Sequence, residues 1–271
     1  MNPTELRALL GRHGLRPSRA LGQNFLVDAN TAARIVRLAG VGPGDHVVEV
    51  GPGVGSLTCA LHDAGAHVVA VELDRHLLPA LAEVLGDRPV QVVAADALEV
   101  DWPALCAGPA RWSMVSNLPY NVAVPVVVRV LETAPMIDRL LVMVQREVAE
   151  RLAARPGDAQ YGAVSVKVAY HADAAVVGVV PPSVFLPRPR VESALVRVVR
   201  RPTPVPVHDP ERMFALVRAG FGTRRKTLRN ALTPVLGRDA ARALEAAGID
   251  PGARAETLGL ADWARLAEAA P

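Results

Sequence analysis

The sequence has few of the residues that build disulfide frameworks and metal centres. It contains two cysteines, Cys59 and Cys106, which are too few for a disulfide scaffold and lack the spacing of a zinc site. We interpret both as buried, inert thiols. The seven histidines are dispersed, and none forms an HxxxH pair. The sequence therefore predicts no metal site.

Long apolar runs are also missing. Although 51% of the residues are hydrophobic, no uninterrupted run approaches the roughly 18 residues that span a bilayer. Residues 1–20 carry scattered arginines and lack the continuous apolar segment and cleavage site of a secretory signal. No internal repeat is evident, which argues against a solenoid. We expect a soluble, cytoplasmic protein with no membrane partner.

Acidic residues are absent from one stretch, between Glu211 and Asp239. The net charge of the chain is only +3, but basic residues collect in this stretch, among them Arg218, Arg224, Arg225, Lys226, Arg229 and Arg238. Such a cluster favours a polyanionic partner. The alternative is that arginine simply occupies solvated helix faces.

The first two-thirds of the chain alternates β-branched apolar runs with helical patterns. Strands are predicted at 46–50, 67–73, 90–96, 112–115 and 139–144. Helices are predicted from Asp28 to Gly40, from Ser56 to Ala64, and after Asp74, where Pro79 is expected to shorten or kink the helix. Nearly continuous apolar strands separated by helices predict a parallel sheet covered on both faces, which is an open, Rossmann-like α/β fold.

The pattern changes after the proline-rich stretch 202–206, which we interpret as a linker. Only helices are predicted beyond it, at 209–220, 226–236, 239–247 and 261–269. We therefore expect a Rossmann-like catalytic domain at 1–203, with residues 1–27 contributing to its site, and a small all-α domain at 207–271.

A glycine-rich turn follows the first predicted strand. Gly51, Gly53 and Gly55 stand where a doubly wound sheet binds nucleotides, and glycine lets the backbone approach a ligand closely. The third glycine of the dinucleotide fingerprint GxGxxG is replaced by Ser56, which weakens the case for NAD.

Carboxylates end the next two predicted strands. Glu72 is placed to accept hydrogen bonds from both ribose hydroxyls of an adenosine cofactor, and Asp96 from the adenine amino group. A helix N-cap is the alternative role for each. These local features favour S-adenosylmethionine over NAD.

The stretch SNLPYN, residues 116–121, ends the fourth predicted strand on the same edge. The side-chain oxygen of Asn117 and the backbone oxygen of Leu118 are two acceptors for the two hydrogens of an adenine amino group. Pro119 stiffens the turn, and Tyr120 offers a ring on which a flipped-out base stacks. The alternative is an ordinary strand end followed by a proline turn.

Taken together, these segments resemble the ribosomal RNA adenine dimethyltransferases. The matching segments are LGQNFL (21–26), EVGPGVGSLT (49–58), VELD (71–74), NLPY (117–120) and FLPRPRVES (185–193). The resemblance implies that Phe185 sandwiches the target base against Tyr120. The implied cofactor contacts are Gln23, Asn24, Leu26, Gly51, Gly53, Gly55, Glu72, Leu73, Asp96, Ala97 and Asn117.

The segment FGTRRKTLRNAL, residues 221–232, is similar to the small-subunit branch of that family. The resemblance therefore implies N6,N6-dimethylation of two adjacent adenosines in 16S rRNA of the 30S subunit. We expect the protein to be a monomer that needs no protein partner. RNA contacts are expected at Arg224, Arg225, Lys226 and Arg229.

Three alternatives remain open at this point. One is the macrolide-resistance branch, which acts on large-subunit (23S) RNA and more often carries NIPY or NIPF. Another is a ribosome-assembly or RNA-binding factor with secondary catalysis. The third is a DNA adenine methyltransferase, although those enzymes typically carry a DPPY-like motif where this chain has Asn117.

Overall fold

The computed structural model describes residues 1–18, 21–108, 111–201, 205–223 and 225–270. The chain forms two compact units, one of residues 1–149 and 175–200, the other of residues 150–174 and those from Arg201 onward. This division differs from the expected domains 1–203 and 207–271, because residues 150–174 belong to the second unit. Tyr161, Val166 and Tyr170 from that segment are buried in the same apolar cluster as Phe214 and Trp263. The expected linker lies partly outside the described residues.

The first unit is built on a mixed sheet of seven strands, in the order β4-β3-β2-β5-β6-β9-β7. A separate pair joins β1 to β8 in antiparallel register. The strands are β1 Phe25–Leu26, β2 His46–Val50, β3 His67–Glu72, β4 Gln91–Ala94, β5 Trp112–Asn117, β6 Ile137–Gln145, β7 Ala172–Val180, β8 Phe185–Leu186 and β9 Ser193–Arg200.

The five strands predicted from the sequence are all present, and they pair in parallel from β2 to β6. Val47 and Val48 are completely buried, as expected for a strand covered on both faces. This confirms the Rossmann-like α/β prediction. The complete sheet is mixed, because β9, a strand that was not predicted, pairs antiparallel with β6. Buried and exposed residues alternate toward its end, and Arg197 stands exposed beside Leu141.

Helices connect the strands and form most of the second unit. They are α1 Pro3–Arg12, α2 Ala29–Ala39, α3 Ser56–Asp63, α4 Leu78–Leu85, α5 Trp102–Leu105, α6 Ala123–Thr133, α7 Arg146–Ala153, α8 Ala163–His171, α9 Pro210–Phe221, α10 Leu228–Leu236, α11 Ala240–Ala246 and α12 Leu260–Ala269. Among the described residues, none of the helices combines the length and apolarity that crossing a bilayer requires.

Local signals set several helix ends as predicted. The carboxylate of Asp28 accepts from the backbone N–H of Thr31 at 2.7 Å and caps α2, which ends at Gly40 in the left-handed conformation. Asp74 caps a 3₁₀ turn, and α4 begins only at Leu78. Pro79 therefore occupies the first turn of α4, where its missing N–H leaves no hydrogen bond broken.

The second unit has its own apolar core around Trp263, whose side chain is completely buried. The four helices predicted after the linker correspond to α9–α12. The expected helix 226–236 is shorter at its start, because α10 begins at Leu228. Arg225 and Lys226 thus lie in the turn before α10, and Arg229 lies within it.

Candidate active site

Segments predicted to bind a cofactor surround one cavity at the carboxyl ends of β2, β3, β4 and β5. Its empty volume, including the open mouth, is about 1060 Å³. The lining residues are 21–26, 49–54, 56–57, 71–74, 77, 95–97, 117–122 and 126.

The glycine-rich turn between β2 and α3 forms one wall. Gly51 and Gly53 adopt positive φ angles of 70° and 58°, which disfavour residues with a Cβ. A Cβ on Gly51 would stand 3.2 Å from Cδ of Pro119, and one on Gly53 would stand 2.9 Å from Cδ1 of Phe25. The two glycines therefore bring the turn directly against the NLPY segment and β1.

Two of the expected cofactor residues have other contacts. Gly55 does not line the cavity, and a Cβ there would stand 2.9 Å from Leu81 of α4, so this glycine serves helix packing. Gln23 lines the cavity, but its amide accepts from Ser18 N at 2.7 Å and donates to Asp74 Oδ2 at 2.8 Å. Gln23 thus fastens the LGQNFL segment to the end of β3.

Glu72 ends β3 and supports the glycine turn. Its Oε2 accepts from Gly53 N at 3.1 Å, and its Oε1 accepts from Asp74 N at 2.8 Å. Burial raises the pKa of the Glu72 carboxyl, and these two backbone hydrogen bonds oppose the rise. The next side chain, Leu73, is an apolar residue with 54% of its surface exposed at the cavity.

Asp96 follows β4 at the same edge. Its Oδ1 accepts from Leu98 N at 2.8 Å, and no partner for Oδ2 is found among the described residues. The neighbouring Ala97 is buried and also lines the cavity. The structure therefore brings Glu72, Leu73, Asp96 and Ala97 together, as the strand order predicts.

Asn117 ends β5, opposite the glycine turn. Its Nδ2 donates to the backbone carbonyl of Asn24 at 3.1 Å, and no partner for the other end of the amide, Oδ1, is found among the described residues. Asn24 in turn donates its side chain to Gly22 O at 3.1 Å. Leu118 is held by a hydrogen bond from its N–H to Met143 O at 3.1 Å. Its carbonyl therefore belongs to a fixed segment of backbone.

Tyr120 is half-buried beside the NLPY turn. Its phenol oxygen lies 2.7 Å from Oγ of Ser193, the first residue of β9. Burial raises the pKa of the Tyr120 phenol, and the contact with Ser193 lowers it in part. The ring is thus tethered at its far end.

Phe185 does not take the expected position against Tyr120. Its side chain is 3% exposed, it does not line the cavity, and it belongs to an apolar cluster with Leu26, Ile35 and Val180. Pairing of β8 with β1 sets Phe185 opposite Leu26 and carries the ring into the core. Leu26 is likewise 4% exposed, although it reaches the cavity wall.

Sequence reasoning missed Glu49, a cavity-lining carboxyl within the apolar strand β2. It is 1% exposed, and burial raises its pKa from the ordinary 4.5 to about 8, although nearby Thr58 opposes the rise. Glu49 Oε2 and Ser56 Oγ are buried and have no hydrogen-bond partner among the described residues. A charged residue interrupting the run HVVEV was the available signal.

Three of the four expected RNA-binding residues are described, and they belong to the second unit. Arg225, Lys226 and Arg229 are exposed, and no acidic partner of theirs is found among the described residues. Arg224 lies outside the described residues. We call Arg225, Lys226 and Arg229 the basic patch.

The described residues contain no group of three or more histidine, cysteine, aspartate or glutamate side chains able to hold a metal ion. Cys106 is buried, and burial raises the pKa of its thiol to about 11. Cys59 is only partly buried, against the expectation that both thiols are buried, and burial raises the pKa of its thiol as well.

The family described as "Ribosomal RNA adenine dimethylase" matches residues 15–270. The chain is similar to "Ribosomal RNA small subunit methyltransferase A" of Thermobifida fusca (strain YX), with 50% identity covering 100% of this chain and 96% of the relative. A protein of the same name from Kineococcus radiotolerans is 51% identical, covering 100% of this chain and 92% of the relative.

Solved structures with similar folds include "23S rRNA methyltransferase ErmE", with a TM-score of 0.68 and 31% identity over 91% of this chain and 99% of that chain. A dimethyladenosine transferase from Plasmodium falciparum has a TM-score of 0.70 over 89% of this chain and 95% of that chain. Its 22% identity supports the shared fold alone.

Proposed function

Since this chain belongs to the ribosomal RNA adenine dimethylase family, we propose that it dimethylates N6 of two adjacent adenosines in small-subunit (16S) ribosomal RNA, with S-adenosylmethionine as methyl donor. The identities support the small-subunit substrate. This chain is 50% and 51% identical to the two relatives named for the small subunit, but only 31% identical to the 23S methyltransferase.

The residues of the cavity fit this cofactor. Glu72 and Asp96 offer carboxylate oxygens for ribose hydroxyls and the adenine amino group, and the exposed side chain of Leu73 offers an apolar surface for the adenine ring. The unpartnered Glu49 Oε2 and Ser56 Oγ offer hydrogen bonds to a polar ligand near the glycine turn. When bound, the cofactor supplies an electrophilic sulfonium methyl group.

One observation carries the proposed chemistry: the contact between Asn117 Nδ2 and Asn24 O, which leaves Asn117 Oδ1 as the free end of the amide. The lone pair of an adenine amino nitrogen is delocalised into the ring, so the amine is a poor nucleophile. Asn117 Oδ1 and the Leu118 carbonyl would accept its two hydrogens and favour a pyramidal nitrogen. The exposed lone pair would then attack the methyl carbon, the bond from that carbon to sulfur would break, and S-adenosylhomocysteine would be the leaving group.

The rest of the rate acceleration would come from holding the amine nitrogen in line with the methyl group and the sulfur of the cofactor. The close approach of Gly51 to Pro119 sets the glycine turn beside the two acceptor oxygens, so the amine and the methyl donor share one narrow space. No strong general base is required, because the attacking nitrogen becomes acidic once the methyl transfer begins, so its proton can pass to water. Tyr120 offers a ring for stacking, typically worth about 1–3 kcal/mol per base.

The basic patch would supply part of the RNA affinity. Exposed arginine and lysine side chains without acidic partners are suited to phosphate contacts, which make binding depend steeply on salt. We further propose that the protein acts as a monomer without a protein partner. Since the proposed substrate is ribosomal RNA, we expect the reaction in the cytoplasm.

A direct experiment tests the proposal. The protein is incubated with methyl-labelled S-adenosylmethionine and either immature small subunits or naked large-subunit RNA, and the modified bases are mapped. We expect two adjacent N6,N6-dimethyladenosines in the small-subunit RNA. Labelling of the large-subunit RNA alone would replace this proposal with the resistance activity, and no labelling would reject methyl transfer.

A further inference from the structure

Base stacking does not explain why the hydroxyl of Tyr120 is hydrogen-bonded to Ser193. Stacking requires only an aromatic face, and a phenylalanine would provide it. The chain instead carries a tyrosine whose hydroxyl lies 2.7 Å from Ser193 Oγ. Ser193 is completely buried, so its side chain is part of the packed interior.

The backbone around Ser193 is held firmly. Ser193 is paired with Gln145 in the β6–β9 ladder, and the preceding Glu192 accepts from Arg146 N at 3.0 Å. Tyr120 follows β5, which lies on the other side of β6. The contact between the two hydroxyls therefore passes over the end of β6 and connects the NLPY turn to a fixed point in the sheet.

The NLPY turn is anchored in the backbone at Leu118, whose N–H donates to Met143 O at 3.1 Å. A second anchor at the end of the Tyr120 side chain restricts rotation of the ring about its χ1 and χ2 angles. Two anchors together define both where the ring is and which way its face points.

We propose that Ser193 is a positioning residue that holds the Tyr120 ring with its face toward the target adenine. This inference rests on the proposed function, because it assigns the ring a base to stack on. The serine itself does not touch the substrate. Its contribution is the orientation of Tyr120 before the base arrives, which lowers the cost of ordering the ring in the complex.

Four variants test this proposal: Ser193→Ala, Tyr120→Phe, the double variant, and Ser193→Thr, which retains a hydroxyl. Methylation of immature small subunits would be measured as kcat and KM. We expect each single loss of a hydroxyl to lower kcat/KM about threefold to tenfold, the effect of losing one hydrogen bond that positions a reacting group. The Thr variant should recover most of that loss, and cofactor affinity should not change in any of them.

The double variant should be no worse than Tyr120→Phe, because both single changes remove the same contact. Losses that multiply in the double variant would overturn the proposal, as would wild-type kinetics in Ser193→Ala. Ser165→Ala is the matched control, since Ser165 is a buried serine of the second unit whose hydroxyl donates to Arg151 O at 2.6 Å. It should lower stability without changing kcat/KM.

A measurement without substrate separates this inference from the proposed function. The chain has three tyrosines, so ring-labelled tyrosine gives a simple NMR spectrum in which Tyr120→Phe identifies the Tyr120 signal. Ser193→Ala should shift that signal and leave those of Tyr161 and Tyr170 in place. An unchanged Tyr120 signal would overturn the tether even in an active enzyme. A shifted signal in a protein that methylates no RNA would support the tether and reject the proposed function.

Discussion

The side-chain amide of Asn117 donates to the backbone carbonyl of Asn24 across 3.1 Å. This contact joins the end of β5 to the LGQNFL segment near the start of the chain. An amide has one donating end and one accepting end, so using the donor on Asn24 leaves the acceptor for a ligand. The orientation that the proposed chemistry needs is therefore built in before any ligand binds.

Replacing Asn117 with alanine should remove the acceptor for the adenine amino group. We expect kcat to fall by about 10²–10³-fold, the usual cost of losing one preorganised group that stabilises the transition state. Affinity for S-adenosylmethionine, measured by calorimetry, should change little. Asn30→Ala, at an exposed asparagine of α2 that does not line the cavity, is the control. Near-normal methyl incorporation by Asn117→Ala would contradict the proposed clamp.

Replacing Glu72 with glutamine should weaken cofactor binding. One carboxylate oxygen becomes an NH₂ group, which cannot accept from Gly53 N or Asp74 N and so loosens the glycine turn. We expect the Kd for S-adenosylmethionine to rise about 10-fold to 100-fold, as is typical for a lost hydrogen bond to a charged group. Asp87→Asn, at an exposed acid that does not line the cavity, should bind normally. If Glu72→Gln and Asp87→Asn bind S-adenosylmethionine with equal affinity, Glu72 does not support cofactor binding.

The burial of Phe185 predicts that this residue acts mainly through stability. Phe185→Ala should lower the free energy of unfolding by about 3–5 kcal/mol, because it leaves a cavity in a packed core. Phe185→Leu should keep most of that stability and most of the turnover. If the leucine variant is stable but has lost turnover as severely as Asn117→Ala, the ring must reach the base in the RNA complex.

The basic patch predicts a specific salt dependence. Replacing Arg225 and Arg229 with alanine should weaken binding to immature small subunits and reduce the salt slope by about 2, or about 1 for each lost phosphate contact. Cofactor affinity should not change. The control removes the same charge from Arg242 and Arg254, which contact Asp239 and Glu256 at 2.9 Å and 4.0 Å. If the variant that lacks Arg225 and Arg229 binds immature small subunits as tightly as wild type, the basic patch does not contact the RNA.

The raised pKa of Glu49 predicts how stability changes with pH. Burial holds the folded-state pKa near 8, against an ordinary value of 4.5, so the folded protein binds an extra proton between these values. The free energy of unfolding of the cofactor-free protein should therefore fall as the pH rises from about 4.5 to about 8, by several kcal/mol at most. Chemical denaturation at several pH values would measure this.

Glu49→Gln is neutral throughout this range and should remove most of the fall, so its stability relative to wild type should be greatest above pH 8. Glu99→Gln, at an exposed glutamate, should preserve the wild-type pH dependence. Parallel pH profiles for wild type and Glu49→Gln would show that Glu49 ionises normally in the folded protein.

The sequence alone determined the features that depend on local patterns. Apolar β-branched runs set the parallel strands, Asp28 and Gly40 set the ends of α2, and the order of the strands placed Glu72, Asp96 and Asn117 on one edge. These predictions succeeded because propensity, capping and side-chain period act over a few residues, and because parallel strands bring their carboxyl ends together.

The tertiary structure decided the features that depend on residues far apart in the chain. Pairing of β8 with β1 buries Phe185, and antiparallel pairing of β9 with β6 brings Ser193 to Tyr120. Packing likewise raises the pKa of the Glu49 carboxyl from 4.5 to about 8, because complete burial disfavours its charged form. Strand register and desolvation arise only when distant segments pack together, so no local pattern in the sequence encodes them.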